Sequence, residues 1–578
     1  MGRQFFSMGE VLMYLKKSNI TDLEQRADYI QGFIDGENQE TGYDYNRYVE
    51  YGAANLANVV TEHSRAKKEC LMWCVNHYLS LNRNRRVMEK ATEALRQYGT
   101  GCGTSASSCG MSSLHKQAEV KLAQLVGKET AVLFPTGFTA NVAGISGLAG
   151  SNDLILFDRE CHSSIINGLK LSAAKWTSFK HNNVGDLELK LAKYRNQYQH
   201  ILVIVEAAYS MSGDLAPLKA IVTLKQSHHF YLYVDEAHTF GIYGPQGQGY
   251  CYEQGVSDEV DFIMATLSKA TASIGGFVAA QGKYCSVLRW ADPYVFQACI
   301  PPADVAVILA CLEEIEQNPD MLRELHEKNR YMRELLTAKG FNLGQSQSPI
   351  IPIFIEDYHK LRLVVRELYQ EGIYSTPICF PAVKVNEGRI RLILNLAHTQ
   401  EQLERTAEAL EQTCQRHQVI GAEADSLTGL YNRKYLQDKL ENACEHAMRR
   451  NHPLALAVVT IDHFAAIQEQ FSEQIGEQVL VEIAGFLKAS LRSNDIVSRY
   501  GENQFALVFV KTNAPDIQTL CDRLQAKIAD LDWTKTAIGL KVTARFGLTD
   551  MQECSTGAAM LERVLAILEE TGQQQQAG

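Results

Sequence analysis

The chain has 578 residues, too many for one hydrophobic core to keep growing, so two or more domains are expected. A hydrophobic fraction of 46%, a charged fraction of 21% and a mean hydropathy of -0.18 exclude a disordered chain and a membrane protein. A net charge of -11 and a pI near 5.9 give no global attraction to nucleic acid or anionic lipid.

The opening Met1-Gly2-Arg3-Gln4-Phe5-Phe6 has a short apolar run, but Glu10 interrupts it and no cleavage-like pattern follows, so no secretory leader is expected. Phe6 stands where a myristoylation signal wants Ser or Thr. Residues 1–68 read as a polar, mainly helical extension with no assigned function. The 14 cysteines lack paired C-x-x-C spacing, which points to reduced thiols in a cytoplasm and to neither a metal site nor a disulfide framework. No apolar stretch is long enough to cross a bilayer.

From about Cys70 to Gln412, short apolar runs alternate with longer amphipathic ones, the pattern of an α/β domain with a buried, largely parallel sheet. Strands are expected at Ala131–Phe134, Leu154–Phe157, Ile201–Val205, Tyr231–Val234 and Phe262–Met264, each ending in polar or turn residues. Ligands of such a sheet sit beyond the carboxyl ends of its strands.

Three segments in those places carry chemistry. Gly137 and Phe138, in Pro135-Thr136-Gly137-Phe138, follow a strand and open a helix whose free N–H groups favour a phosphate; the plainer reading is a turn. Asp235, in Val234-Asp235-Glu236-Ala237-His238, can face a bound ring and keep a pyridine nitrogen protonated, with His238 reaching the ring hydroxyl; it can equally cap the next helix. Lys269, in Thr266-Leu267-Ser268-Lys269-Ala270, is suited to a Schiff base if partly desolvated, with Thr266 and Ser268 at the phosphate; most lysines are solvated surface groups.

In order and number, these segments resemble the α-oxoamine synthases, a pyridoxal 5'-phosphate (PLP) family within the aspartate aminotransferase fold, fold type I. The resemblance runs from Asn76-His77-Tyr78-Leu79 to His398-Thr399 and includes Tyr98-Gly99-Thr100-Gly101, Leu114-His115, Asp158 through His162-Ser163-Ser164, His181-Asn182-Asn183 and Tyr209-Ser210-Met211-Ser212-Gly213-Asp214. It implies a large domain with a mainly parallel sheet and a small α/β domain, together residues 69–415. It makes Lys269 the Schiff-base lysine and base, His162 the imidazole stacked on the cofactor ring and Asp235 the pyridinium partner. His238 becomes the ligand of the ring oxygen, and Gly137, Phe138 and Thr266 phosphate contacts. Arg391 becomes the grip on the amino-acid carboxylate, with Arg389 the alternative because residues two apart on a strand share a face.

The implied reaction is decarboxylative condensation of an amino acid with an acyl-CoA or acyl-carrier-protein thioester to an α-aminoketone, by a cytoplasmic biosynthetic homodimer. Two departures are visible. Thr104-Ser105-Ala106-Ser107-Ser108-Cys109-Gly110 stands where many members have an arginine, and Ala272 stands where a glycine is common. An aminotransferase would use the same cofactor residues, and a non-catalytic signalling protein is the reading from another class.

A further α/β unit is expected over residues 424–570, with strand-like runs at Leu454–Val459 and Phe505–Phe509 and a low-complexity, frayed tail at Gln573–Gln576. Its opening, Asp425-Ser426-Leu427-Thr428-Gly429-Leu430-Tyr431-Asn432-Arg433, resembles a GGDEF diguanylate cyclase domain. Against that family, Gln504 replaces the metal-binding acid of the signature and Thr460 the first Asp of its D-x-D pair, leaving Asp462. Gln468 and Glu477 replace the guanine-reading Asn and Asp, and Glu502 replaces a glycine. Hard cations need carboxylate oxygens, so cyclase activity is not expected. Arg492 and Asp495 stand at the family's R-x-x-D inhibitory site for cyclic di-GMP, which makes the domain a sensor or, if they only brace a turn, a scaffold.

Overall fold

The computed structural model describes every residue except 1–7, 42–45, 63, 381, 385–386, 421–424, 426, 451, 493–494, 513, 538, 553, 555 and 577–578. The Met1–Phe6 run, Ser426, Ser493 and Asn494 lie outside the described residues. The chain divides into two units, Met1–Thr413 and Cys414–Gly578.

The first unit opens with helices Met8–Lys17 and Leu23–Thr41. The extension that reads as mainly helical gives way to strands beyond Thr41: β1 (Arg47–Val49), β2 (Leu56–Thr61) and β3 (Lys67–Met72) form an antiparallel set. Val59, Val60 and Thr61 are β-branched and buried, and this packing outweighs the polar average of the segment.

Next come β4 (Thr130–Phe134), β5 (Leu154–Asp158), β6 (Lys175–Phe179), β7 (Ile201–Glu206), β8 (Tyr231–Asp235), β9 (Phe262–Thr266) and β10 (Gly276–Ala280). They form one sheet in the order β4-β10-β9-β8-β7-β5-β6. β10 is antiparallel to both neighbours, and the remaining pairs are parallel. β5, β7, β9 and β10 are buried along their whole length, which is why they read as continuous apolar runs rather than alternating ones. The polarity of the sheet brings the segments after β4, β5, β8 and β9 to one edge.

A three-stranded sheet joins β11 (Ile350–Phe354), β14 (Arg389–Ile393) and β13 (Thr376–Ile378) antiparallel, while β12 (Ile373–Tyr374) adds to β3 in parallel. No helix among the described residues is long and apolar enough to cross a membrane.

The second unit holds a four-stranded antiparallel sheet, ordered β16 (Ile496–Arg499), β17 (Gln504–Val510), β15 (Leu454–Ile461) and β18 (Ala544–Asp550). Along β15, Ala455, Ala457, Val459 and Ile461 enter one core, and Leu454, Leu456 and Val458 enter another on the opposite face. Helices therefore cover both sides of the sheet. The last of them, Gly557–Gln576, carries the Gln573–Gln576 tract that was expected to fray; glutamine is a good helix former and extends it.

Candidate functional site

At the sheet's carboxyl edge, Thr136 caps helix Gly137–Leu148, its Oγ1 accepting the Thr139 N–H at 3.0 Å. The N–H groups of Gly137 and Phe138 then open the helix with no preceding turn to satisfy them. The approach of this turn to β9 is close. A Cβ on Gly137 would stand 2.6 Å from both Cβ and Oγ1 of Thr266, and one on Gly276 would stand 2.6 Å from Gly137 Cα. The two glycines thus keep open a cradle beside the Thr266 hydroxyl, which lies 2.9 Å from Ser268 Oγ.

Asp235 ends β8 and is buried. Its Oδ1 accepts the Ala237 N–H at 2.8 Å and its Oδ2 accepts Asn141 Nδ2 at 2.7 Å. Asn141 also donates to Ser164 Oγ at 2.9 Å and accepts the Tyr233 hydroxyl at 3.1 Å. Ser164 in turn lies 2.8 Å from His162 Nδ1, which also accepts the Ser164 backbone N–H at 3.2 Å. With both contacts aimed at Nδ1, the proton of neutral His162 belongs on Nε2. Burial, with Lys269 and Arg391 nearby, holds that imidazole below its ordinary range, against the pull of Asp235.

Lys269 follows β9, and its Nζ lies 2.9 Å from His238 Nε2. Burial lowers the amine to about 8, opposed by Asp235 and Glu206 and assisted by Arg391. His238 is driven well below its usual range by burial, then by Lys269 and Arg391. The Tyr78 hydroxyl lies 2.6 Å from His238 Nδ1, and burial raises that phenol, so it stays protonated. The lysine turn closes through Ala272, whose N–H donates to Lys269 O at 3.0 Å in the left-handed region, φ 48°, which explains why glycine suits this position.

The two arginines of β14 part company. Arg389 is committed: Nε donates to Glu387 O at 3.1 Å, NH2 pairs with Glu387 Oε2 at 3.3 Å, and its guanidinium sits 4.3 Å from the Phe354 ring centroid. Arg391 donates through NH1 to Ser210 O at 3.0 Å, and its buried Nε meets no partner among the described residues. A buried donor without an acceptor calls for an anion or a water.

One edge thus holds a buried amine, a buried carboxylate and an imidazole that act on one another electrostatically, together with an anion cradle and a guanidinium with a spare donor. That donor set fits a phosphorylated pyridine aldehyde, which asks for an anion site, an acid for its ring nitrogen and an amine for its aldehyde. Of the expected residues of the first unit, Gly137, Phe138, His162, Asp235, His238, Thr266 and Lys269 stand at or after strand ends on this edge, Arg391 lies near His162, His238 and Lys269, and Arg389 is engaged elsewhere. Asn141, Tyr78 and Glu206 had not been singled out as site residues, although Asn141 stands one helical turn after Gly137 on the same face.

In the second unit, Thr460, Asp462 and Gln504 are each engaged by neighbouring side chains. Asp462 is engaged by the Arg545 guanidinium and accepts the Thr543 hydroxyl at 2.9 Å. Gln504 Nε2 donates to Thr460 Oγ1 at 3.3 Å. No group of three or more His, Cys, Asp or Glu among the described residues is arranged to hold a metal. At the other candidate site, Asp495 Oδ2 accepts the backbone N–H of Arg492 at 3.2 Å while the Arg492 side chain is exposed. Gln468 packs on Gly476, and Glu477 is exposed.

Residues 68–410 match the aminotransferase class I and II family, and residues 422–577 match the diguanylate cyclase GGDEF domain. The chain is 40% identical over 351 residues to a serine palmitoyltransferase of Bacteroides thetaiotaomicron, covering 61% of this chain and 89% of that one. It is 36% identical over 344 residues to an 8-amino-7-oxononanoate synthase of Symbiobacterium thermophilum, covering 59% and 88%. Among solved structures, the Sphingomonas wittichii serine palmitoyltransferase superposes with a TM-score of 0.65 at 29% identity, over 69% of this chain and 100% of that one. A serine palmitoyltransferase solved with PLP gives the same TM-score and coverage at 27% identity.

Proposed function

Because the chain belongs to the aminotransferase class I and II family, we propose that its first unit is a PLP-dependent α-oxoamine synthase, joining an amino acid to an acyl-CoA or acyl-carrier-protein thioester with loss of carbon dioxide. The observation that carries the reading is the Lys269 amine, lowered by burial to about 8 and set among His238, Asp235 and Arg391. When bound, PLP supplies an aldehyde that captures amines and a cationic ring that accepts the electron pair of a broken bond at the α-carbon.

The chain's own residues do the rest. Lys269 would hold the cofactor, and its free Nζ would take and return a proton near neutral pH, as its lowered value permits. Asp235, fixed by Asn141 and the Ala237 N–H, keeps negative charge at the ring nitrogen. His162 covers the ring, and His238, backed by Tyr78, meets the ring oxygen. Gly137, Phe138 and Thr266 hold the phosphate. Arg391 offers Nε and the rest of its fork to the amino-acid carboxylate. The names of the relatives put serine and a long acyl chain first among substrates to try. Exposed Ile274, Trp290 and Phe296, in segments that follow the lysine turn, support a homodimer that covers them.

The second unit, in this reading, makes no cyclic dinucleotide and serves as a sensor or scaffold; the pairing of Asp462 with Arg545 supports the loss of cyclase chemistry. Calorimetry with cyclic di-GMP on wild type and Arg492→Ala separates sensor from scaffold, and silence from the wild type ends the sensor reading. For the first unit, PLP-loaded protein is mixed with single amino acids and acyl thioesters, and thiol and carbon dioxide are measured. Release of both from one pair, abolished in Lys269→Ala, is expected. A keto acid formed without thioester consumption would instead mark an aminotransferase.

A further inference from the structure

Glu206 is a buried carboxyl group at the edge of the site that the reaction outlined above does not use. It closes β7 and stands in parallel register with Asp235 at the end of β8, so the two acids share a face. Glu206 Oε1 accepts the backbone N–H of His162.

The turn that carries His162 is held at two points. At its start, buried Asp158 accepts the N–H groups of Glu160 at 2.9 Å and Asn182 at 2.8 Å and lies 3.0 Å from His181 Nδ1. His181 reaches onward to Asp214 Oδ2 at 3.2 Å, so this end is braced by a second loop. At the end of the turn, Glu206 takes the His162 peptide. Ser164 decides which way the imidazole faces, through its two contacts to Nδ1. The backbone position from which the imidazole projects is therefore set by Glu206.

A carboxyl group in such a place is costly unless it has work to do. Burial and the adjacent Asp235 push it well above the usual carboxylate range, with the His162 N–H and Lys269 pulling the other way. A neutral carboxyl accepts an N–H without adding a second charge beside Asp235.

We propose that Glu206 is a positioning residue for His162: by holding the peptide of that residue it fixes the height of the imidazole that covers the cofactor ring. The inference rests on the cofactor reading given above. It is tested in the full chain by titrating PLP and recording the visible circular dichroism of the bound cofactor, for Glu206→Ala, Glu206→Met and Glu206→Gln, each with His162 or with His162→Ala.

Loss of one buried hydrogen bond corresponds to roughly tenfold in affinity, so Glu206→Ala and Glu206→Met should weaken PLP by about that factor and change the dichroism. Glu206→Gln keeps an accepting oxygen and should stay within about threefold of wild type. On the His162→Ala background, Glu206→Met should add less than about twofold, because the residue acts through His162. Methionine fills the space of glutamate, so a failure of the alanine variant to fold leaves the comparison intact.

Wild-type affinity and dichroism in Glu206→Met would overturn the proposal. So would a glutamine variant as impaired as methionine, or an equal loss on both backgrounds. A wild type that takes up no PLP defeats the cofactor reading itself, a result distinct from these.

Discussion

Lys269 Nζ lies 2.9 Å from His238 Nε2, and the other nitrogen of that imidazole lies 2.6 Å from the Tyr78 hydroxyl. The amine therefore ends a buried chain of neutral groups rather than facing a counter-ion directly. Neutral surroundings favour the uncharged amine, which is the nucleophile.

The first prediction concerns that amine. Uptake of PLP by apo-protein should accelerate with pH up to a midpoint near 8 and level off above it, because only the neutral form attacks. Stopped-flow absorbance checks this, and a midpoint above 10 would count against burial as the cause. The same shift has a stability sign. The folded value lies below the unfolded one, so between about pH 8 and 10.5 the unfolded chain holds a proton that the folded chain lacks. The apo-protein should gain stability as pH rises through that window, by up to about 3 kcal/mol, measurable by urea titration at fixed temperature.

The second prediction separates the arginines of β14. Arg391→Met removes the guanidinium with the spare donor and should raise the amino-acid KM by about 100-fold while PLP affinity holds. Arg389→Met instead breaks contacts to Glu387 and Met211 and should lower stability by about 2 kcal/mol with KM little changed. Steady-state kinetics and urea midpoints on both variants decide, and the reverse pattern would assign the carboxylate to Arg389.

How much of this was legible beforehand depended on where each residue sits. Lys269, Asp235 and His162 stand at or just beyond the ends of strands whose buried runs end abruptly, so their positions follow from periodicity and their roles from family resemblance. Glu206 occupies the same kind of place but reads as the last residue of an apolar run, and its partner is a backbone N–H, which no sequence displays. Tyr78 reaches His238 from far along the chain, and only the closed sheet brings them together. β6 escaped because Lys175-Trp176-Thr177-Ser178-Phe179 is a half-exposed edge strand, and β10 because it begins at Gly276, the second glycine of a Gly275-Gly276 pair that reads as a turn. Arg389 and Arg391 could not be separated by strand alternation, which puts both on one face; their neighbours separate them.

A third prediction tests the cradle. Gly137→Ala places a methyl group 2.6 Å from the Thr266 side chain, and Gly276→Ala places one against the Gly137 backbone. Rotation of Thr266 moves its hydroxyl but not its Cβ, which is fixed to the backbone, so both clashes fall on rigid atoms and each variant should cost about 2 kcal/mol of stability. Both should weaken PLP by tenfold or more, on the order of one phosphate hydrogen bond, while free pyridoxal, lacking the phosphate, should bind all variants alike. Fluorescence titration with the two ligands supplies the comparison.

The last prediction concerns the second unit, where Arg545 pairs with Asp462, the acid left of the D-x-D pair. Thr460 pairs with Arg545 across β15 and β18, so the guanidinium is anchored by sheet register one strand away from Asp462 rather than by chance rotamer. Breaking such a pair from one side leaves a partly buried charge, so Asp462→Asn and Arg545→Met should each destabilise the full chain by about 2 kcal/mol. The double variant should lose less than the sum, by roughly 1 kcal/mol. Because the acid is already paired, manganese or magnesium should leave the thermal midpoint of this unit unchanged, and GTP with either ion should yield no cyclic dinucleotide. A metal-dependent rise in that midpoint in the wild type, or any cyclic product, would show that Arg545 yields the carboxylate to a cation and that the ion pair is a gate rather than a replacement.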